Sequence, residues 1–210
     1  MYLPEAFVEA RPDVIASFLA EHPMAQLVTL TVEGLMATPL PMLYEPSVDG
    51  LGSLVGHVAR ANPHWSIASP TPAVEALAIF TGANAYVSPN WYPSKREHGK
   101  VVPTWNYETV HIRGTFVVHD EVEWKRALVT RLTTHHESSF AAPWAVADAP
   151  PEYVEAMLKA IVGVEVLVTS IQAKRKLSQN KSDADVAGVI DGLSALGGDS
   201  ARVADAMRAP

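Results

Sequence analysis

The sequence predicts a mainly β domain with added helices, its strands running antiparallel. Three observations carry this. Six or seven stretches of alternating apolar residues follow an opening helix, with helical segments inserted between them and helical trimmings at the end. The connections are short, and parallel pairing would need long crossovers. A sheet of this size without a second layer tends to close into a barrel.

The elements follow in order. Arg11 to His22 places Val14, Ile15, Phe18 and Leu19 on one helical stripe, with Pro12 and Asp13 suited to the first turn and Pro23 as a stop. AQLVTLTV from Ala25 to Val32, Glu33-Gly34 and LMATPLPMLY from Leu35 to Tyr44 form a hairpin. Pro39 and Pro41 mark the second strand as an edge, a bulge or backbone facing a ligand. EPSVDG reads as a loop, and Gly52 to Val58 as a strand. ARANPHWSIAS then turns into a short helix with Asn62 as N-cap and Pro63 at the first helical position. Glu75 to Gly82 and Ala85 to Ser88 are read as two strands around a Gly82-Ala83-Asn84 turn. Asn106 to His119 is a long strand with a bulge expected at Gly114. Helices follow at Glu121 to Ser138 and Pro151 to Ala160, then a last strand from Val162 to Leu177. Ser182, with Asp185 three residues later, gives a cap signal for two small helices broken at Gly197-Gly198. The expected division is a barrel domain over 1–181 and a helical extension over 182–210 packed on it.

Composition excludes several functions. Absence of Cys removes disulfides, thiolate catalysis and Cys-ligated metals, and is compatible with a reducing, cytoplasmic setting. No apolar run approaches the roughly 20 residues that span a bilayer, so no membrane association is expected. Sixteen Lys and Arg against twenty-three Asp and Glu give a formal charge of −7. Nucleic-acid affinity rests on neutralising phosphates with cations, so direct DNA binding is not expected. The C-terminal pair could be taken for a helix-turn-helix, but from Ser182 onward five Asp face two Arg, and such a surface repels phosphates.

Two regions and one loop could carry chemistry. In Gly56 to Trp65, Arg60 lies between Ala59 and Ala61 just before a helix start, a place where N–H groups and a guanidinium can grip a phosphate. The plainer alternative there is a surface salt bridge for Arg60 and a satisfied strand histidine at His57, while His64 and Trp65 read as ordinary helix packing. Lys174 to Ser182 sets cations beside Ser178, Gln179 and Asn180, and the amides of Gln179 and Asn180 suit a ring with donor and acceptor edges; the plainer alternative is a charged strand end leading into a capped helix. Ala85 to Tyr107 holds Pro89, Pro93 and Pro103 among Trp91, Trp105, Tyr86, Tyr92 and Tyr107. That segment is too aromatic for a linker and too proline-rich for a core strand, and is expected to wall a flat anionic ligand. His135, His136 and Glu137 lack the spacing of a chelating helix, so no metal is expected.

Six blocks in order, MYLPEAF, ATPLPMLYE, LVGHVARANPHW, AYVSPNWYPSK, GKVVPTWNY with HIRG after it, and KLSQNKS, resemble the PaiB-type FMN-binding proteins, which carry the label of negative transcriptional regulators. The resemblance covers nearly the whole chain. It implies an FMN-binding split β-barrel like that of pyridoxamine-phosphate oxidases, working as a homodimer with FMN at the subunit interface. By that similarity Thr38, Pro39 and Leu40 face the isoalloxazine, and His57, Arg60 and Asn62 hold the ribityl phosphate. Trp105, Asn106 and Tyr107 close the pocket from the partner chain, and Lys176, Ser178 and Gln179 line its edge. The function so implied is FMN binding with an indirect effect on transcription, through metabolism or a small-molecule or protein partner. The alternatives are a flavin-dependent oxidoreductase, with His57 and His98 as acid or base candidates by position, and a haem-binding protein on the same barrel.

Overall fold

The computed structural model describes residues 1–67 and 73–209. Its eight strands are β1 (Val8–Glu9), β2 (Met24–Thr31), β3 (Gly34–Pro41), β4 (Leu43–Ser47), β5 (Gly50–Ala59), β6 (Glu75–Val87), β7 (Thr104–His119) and β8 (Ile161–Lys176). The helices are α1 (Pro12–Glu21), α2 (Ser94–His98), α3 (Val122–Glu137), α4 (Pro151–Lys159), α5 (Asp183–Leu196) and α6 (Gly198–Arg208). The strands form one antiparallel sheet in the order β3-β2-β6-β7-β8-β5-β4, with β1 paired to β8. Among the described residues the sheet does not close by a hydrogen-bonded ladder: β3 and β4 are its two edges. Pro39 and Pro41 have no N–H to offer a further strand, which suits β3 to that place.

Three expectations need correction. Leu35 to Tyr44 is not one strand, because the chain breaks at the buried Met42 and restarts as β4. The segment read as a loop from Glu45 to Gly50 is mostly strand; β4 and β5 form a hairpin that turns at Val48 and Asp49. The turn expected at Gly82 to Asn84 is absent, and β6 runs straight through it. The short helix after β5 is a 3-10 turn over Pro63–Ile67, capped as expected by Asn62 Oδ1, which accepts from His64 N at 2.9 Å. Its expected last residues, Ala68 and Ser69, lie outside the described residues.

The described chain divides into two compact units. The first comprises 1–18, 81–110 and 172–209. Its core gathers Val87, Tyr92, Leu177, Val189, Leu193 and Val203, so the C-terminal helices belong to it. Trp91 lies on α5, where glycines make room: a Cβ at Gly192 would stand 2.4 Å from the indole and one at Gly188 2.1 Å from the Trp91 carbonyl. Of the proline-rich segment expected to wall a ligand, Trp91 therefore covers a helix and Tyr92 is buried in the core.

The second unit comprises 19–80 and 111–171, of which 68–72 are outside the described residues. Alternation works as the strand period demands. Ala25, Leu27 and Thr29 of β2 are buried, while Met24, Gln26 and Leu30 face out. Cross-strand partners share a face, so Leu35, Pro39 and Pro41, opposite Leu30, Gln26 and Met24, extend the outer one. On β5, Val55 packs against Leu128 and Leu132 of α3. Trp124 of the same helix lies over Gly163, where a Cβ would approach the ring to 2.2 Å. Gly114 is required by close approach, since a Cβ there would stand 2.1 Å from the Leu167 carbonyl oxygen. Among the described residues no helix is long and apolar enough to cross a membrane.

Candidate functional site

In the second unit the turn after β5 meets the middle of β3. Asn62 and His64 reach Thr38 together: Asn62 Nδ2 donates to Thr38 Oγ1 at 3.5 Å, and His64 Nδ1 lies 2.7 Å from the same oxygen. The other ring nitrogen of His64 lies 2.9 Å from Thr29 Oγ1. His64 is fully enclosed, with Phe116 beside it at 5.7 Å between ring centroids. Burial pushes its pKa down, which keeps the imidazole neutral. The chemical result is a fixed polar corner on a strand whose outward side chains are apolar.

Arg60 makes a salt bridge, the plainer of the two expectations for it. Its Nη1 and Nη2 donate to the two oxygens of Asp120, Nε donates to Lys159 O at 2.7 Å, and Nη2 also reaches Ile161 O at 3.2 Å. Asp120 in turn accepts from the buried Lys125 Nζ at 2.8 Å. Arg60 and then Lys125 hold the Asp120 carboxyl at about 2, below its ordinary 3.8. Trp65 completes the turn, its indole N–H donating to Arg60 O at 2.8 Å.

The remaining predicted residues of this unit separate. Leu40 is core, and Pro39 lies on the opposite, exposed face of β3. His57 pairs with Gly163 across β5 and β8 and so lies on the sheet face that Trp124 covers. Its Nδ1 is buried with no hydrogen-bond partner among the described residues, and burial lowers its pKa. Its side chain is thus parted from that of Leu40, and Arg60 turns to Asp120 rather than to Thr38.

In the first unit, Asn106 and Ser178 are both buried and hydrogen-bonded, Asn106 Nδ2 donating to Ser178 Oγ at 3.0 Å. Asn106 Nδ2 also lies 3.4 Å from Met207 Sδ of α6. Lys176 Nζ donates to Thr104 Oγ1 at 2.6 Å and to Trp105 O. Burial, then the charges of Lys174 and Lys181, lower its pKa. Trp105 keeps 53% of its surface exposed and meets the exposed Tyr86 edge-on at 6.3 Å. Tyr107 turns instead to the buried Lys174, whose ammonium stands 5.3 Å from its ring centre. Gln179 closes its own turn by accepting from Leu177 N and donating to Arg175 O. It also borders a cleft of about 560 Å³ with Glu9, Arg11, Arg175 and Met207.

In the second unit Thr38 offers a polar group suited to a planar cofactor, with the Asn62 amide beside it, while the Arg60 guanidinium is already shared with Asp120. In the first unit Trp105 presents a half-exposed indole. His64, Thr29, Asp120 and Lys125 were missed by sequence reading. Thr29 and Thr38 stand 35 and 26 residues from His64, and no local pattern joins them.

An open antiparallel sheet with inserted helices and a polar corner at its edge strand places this chain among the split-barrel cofactor-binding proteins. More particularly, residues 1–170 match the family described as "Putative FMN-binding domain", and the chain belongs to that family, whose cofactor is FMN. It is 34% identical over 193 residues to the protease synthase and sporulation protein PAI 2 of Bacillus subtilis, covering 92% of this chain and 89% of that one. Among solved structures it is similar to the FAD and heme binding protein of Mycobacterium smegmatis, with a TM-score of 0.58 at 16% identity, covering 85% of this chain and 78% of that one. The flavocytochrome Anf3 of Azotobacter vinelandii gives a TM-score of 0.57 at 10% identity, covering 86% of this chain and 74% of that one. These two likenesses are of fold.

Proposed function

We propose that this protein binds FMN between two copies of the chain, in the cytoplasm, and that any effect on transcription is indirect. One observation carries the reading. The corner formed by Thr38, Asn62 and His64 fixes polar groups on an edge strand whose outward side is apolar and open. Leu30, Leu35 and Met24 on that outer face are 69%, 79% and 56% exposed. A contiguous apolar face of this kind suits a subunit contact. The exposed Trp105 and Tyr86 suit the part of a lid contributed by a second copy. Asn62 and Arg60 are assigned to the phosphate, Thr38 and the β3 backbone around Pro39 and Leu40 to the ring. From the second copy, Trp105, Asn106 and Tyr107 are assigned to close the pocket, and Lys176, Ser178 and Gln179 to its edge. His57 has no direct role in this assignment.

FMN supplies hydride and electron chemistry wherever it is bound. The residues above bind and orient it. Indirect regulation follows from charge: α5 and α6 carry the acidic residues Asp183, Asp185, Asp191, Asp199 and Asp205, a poor surface for phosphates. The similarity to PAI 2 of Bacillus subtilis, a sporulation protein by name, supports a regulatory setting without specifying a mechanism.

Titration of the purified chain with FMN, followed by fluorescence quenching and by light scattering, tests this. Saturable binding by a species of twice the chain mass is expected. A monomer without flavin affinity overturns the reading. Salt-sensitive, sequence-specific binding of DNA by the pure protein overturns the indirect role.

A further inference from the structure

The hydrogen atoms around His64 can be assigned by counting donors and acceptors. A neutral imidazole has one N–H and one bare nitrogen, so of its two threonine contacts one must accept and the other donate. Thr29 is 2% exposed, and among the described residues its hydroxyl has no partner besides His64 Nε2. If Nε2 carried the hydrogen, the Thr29 hydroxyl hydrogen would be buried with no acceptor. A buried donor left unmade is costly. The assignment that avoids this has Thr29 donating to Nε2 and Nδ1–H donating to Thr38 Oγ1. Asn62 is fixed independently: its Oδ1 accepts from His64 N at 2.9 Å, so its Nδ2 must face Thr38. Thr38 Oγ1 then accepts twice. Its own hydrogen has no acceptor among the described residues, and Thr38 is half-buried, so that hydrogen remains available to a ligand.

We infer that Thr38 is a hydrogen-bond donor to an acceptor atom on the ring edge of the bound cofactor, and that His64 is the positioning residue that makes it one by keeping its hydrogen on Nδ1. This rests on the FMN reading above. It adds a direction to it. A flavin ring edge offers bare nitrogens and carbonyl oxygens when oxidised, and gains N–H groups on reduction. No proton is gained or lost by the chain in this arrangement. His64 does not touch the ligand; it uses up the lone pair of Thr38 that would otherwise let the hydroxyl turn inward.

Nitrogen-15 NMR of the imidazole in the flavin-free chain tests the first half, with the His64 signals identified by their loss in His64→Gln. Hydrogen on Nδ1 and a bare Nε2 are expected, the reverse of the usual preference of a free imidazole. Hydrogen on Nε2 overturns the inference. The second half is read from affinity for oxidised FMN in Thr38→Val and Thr38→Ser. A loss of about tenfold in the valine variant, recovered in the serine variant, is expected. Equal affinity in the wild type and both variants overturns the donor role while leaving FMN binding intact. Absence of FMN binding in the wild type overturns the underlying reading instead, and the tautomer measurement still decides the role of His64.

Discussion

Arg60 and Asp120 form a two-point ion pair that joins the turn after β5 to the residue after β7, with Lys125 Nζ 2.8 Å from the same carboxylate. If Arg60 holds the FMN phosphate, that phosphate competes with a carboxylate already in place. Arg60→Ala is expected to weaken FMN binding by about tenfold to a hundredfold, the usual worth of a charge-assisted contact. Asp120→Asn is expected to tighten it several-fold, because the competitor loses its charge. The same change leaves the buried Lys125 ammonium poorly partnered, at a cost of about 1–3 kcal/mol in a urea titration. Opposite directions for affinity and stability in one variant are the signature. Unchanged affinity in both variants would assign the pair to architecture alone.

Acid should weaken the fold in two stages. Burial lowers the pKa of His57, His64 and, with help from nearby positive charge, His111. Each of these folds as a neutral ring, while the unfolded chain takes up protons at the ordinary value of 6.5. Their contribution is therefore complete above 6.5 and declines as pH falls below it toward the lowered folded values. Asp120 acts later: its folded value of about 2 lies below its ordinary 3.8, so its contribution is present above 3.8 and lost as pH falls toward 2. Half of Asp120 is exposed, so solvent screening makes the second stage the smaller one. Unfolding free energy measured from pH 8 to pH 4 should be level at first and then fall below pH 6.5. A profile that rises on acidification through that range contradicts the burial of these rings.

The strands were legible wherever one face is buried and the other is not. β2 alternates, and β8 shows Val162, Val164 and Val166 on one buried face, so period alone found them. β4 escaped because Glu45, Pro46 and Ser47 have loop composition, and their pairing with β5 comes from the partner strand. The Gly82-Ala83-Asn84 turn was over-read for a related reason: small residues permit a turn without requiring one, and neighbouring strands keep β6 extended. At the site, the turn holding Arg60 and Asn62 and its cap were visible in the order Asn-Pro-His. The partners were not. Asp120 is 60 residues from Arg60, and a carboxylate there looks like any helix-entry residue. The packing of Trp91 on α5 was not legible, because the glycines that receive it lie about a hundred residues further along the chain.

That contact sets two opposing effects against each other at Gly188 and Gly192. Alanine is the better helix former by about 1 kcal/mol, so on an open helix face either change would stabilise. Here a new methyl group would stand 2.1 Å from a carbonyl oxygen at Gly188 and 2.4 Å from the indole at Gly192. Overpacking costs about 1–3 kcal/mol, and a backbone carbonyl yields less readily than a ring. Both alanine variants are expected to lose stability in chemical denaturation, Gly188→Ala more than Gly192→Ala. A gain in either would mean that Trp91 leaves α5 at little cost.

Ser178 poses the last test, because its backbone and its side chain want different residues. It is the one non-glycine residue with positive φ among those described, at 68°. Glycine would relieve that conformation by about 0.4–1 kcal/mol once its greater freedom in the unfolded chain is counted. The Ser178 hydroxyl, however, is buried against Asn106, donating to Oδ1 at 3.1 Å and accepting from Nδ2 at 3.0 Å. Removing it strands a buried amide, at about 1–3 kcal/mol. The side chain wins on these magnitudes, so Ser178→Gly should destabilise slightly. Ser178→Ala should destabilise more, since it keeps the strained φ and loses the hydroxyl. Asn106→Ala in the Ser178→Ala background should then add less than it does alone, because the two share one interaction. Denaturation curves for the three variants decide it. Serine to glycine proving worse than serine to alanine would show that the left-handed conformation carries no strain at this position.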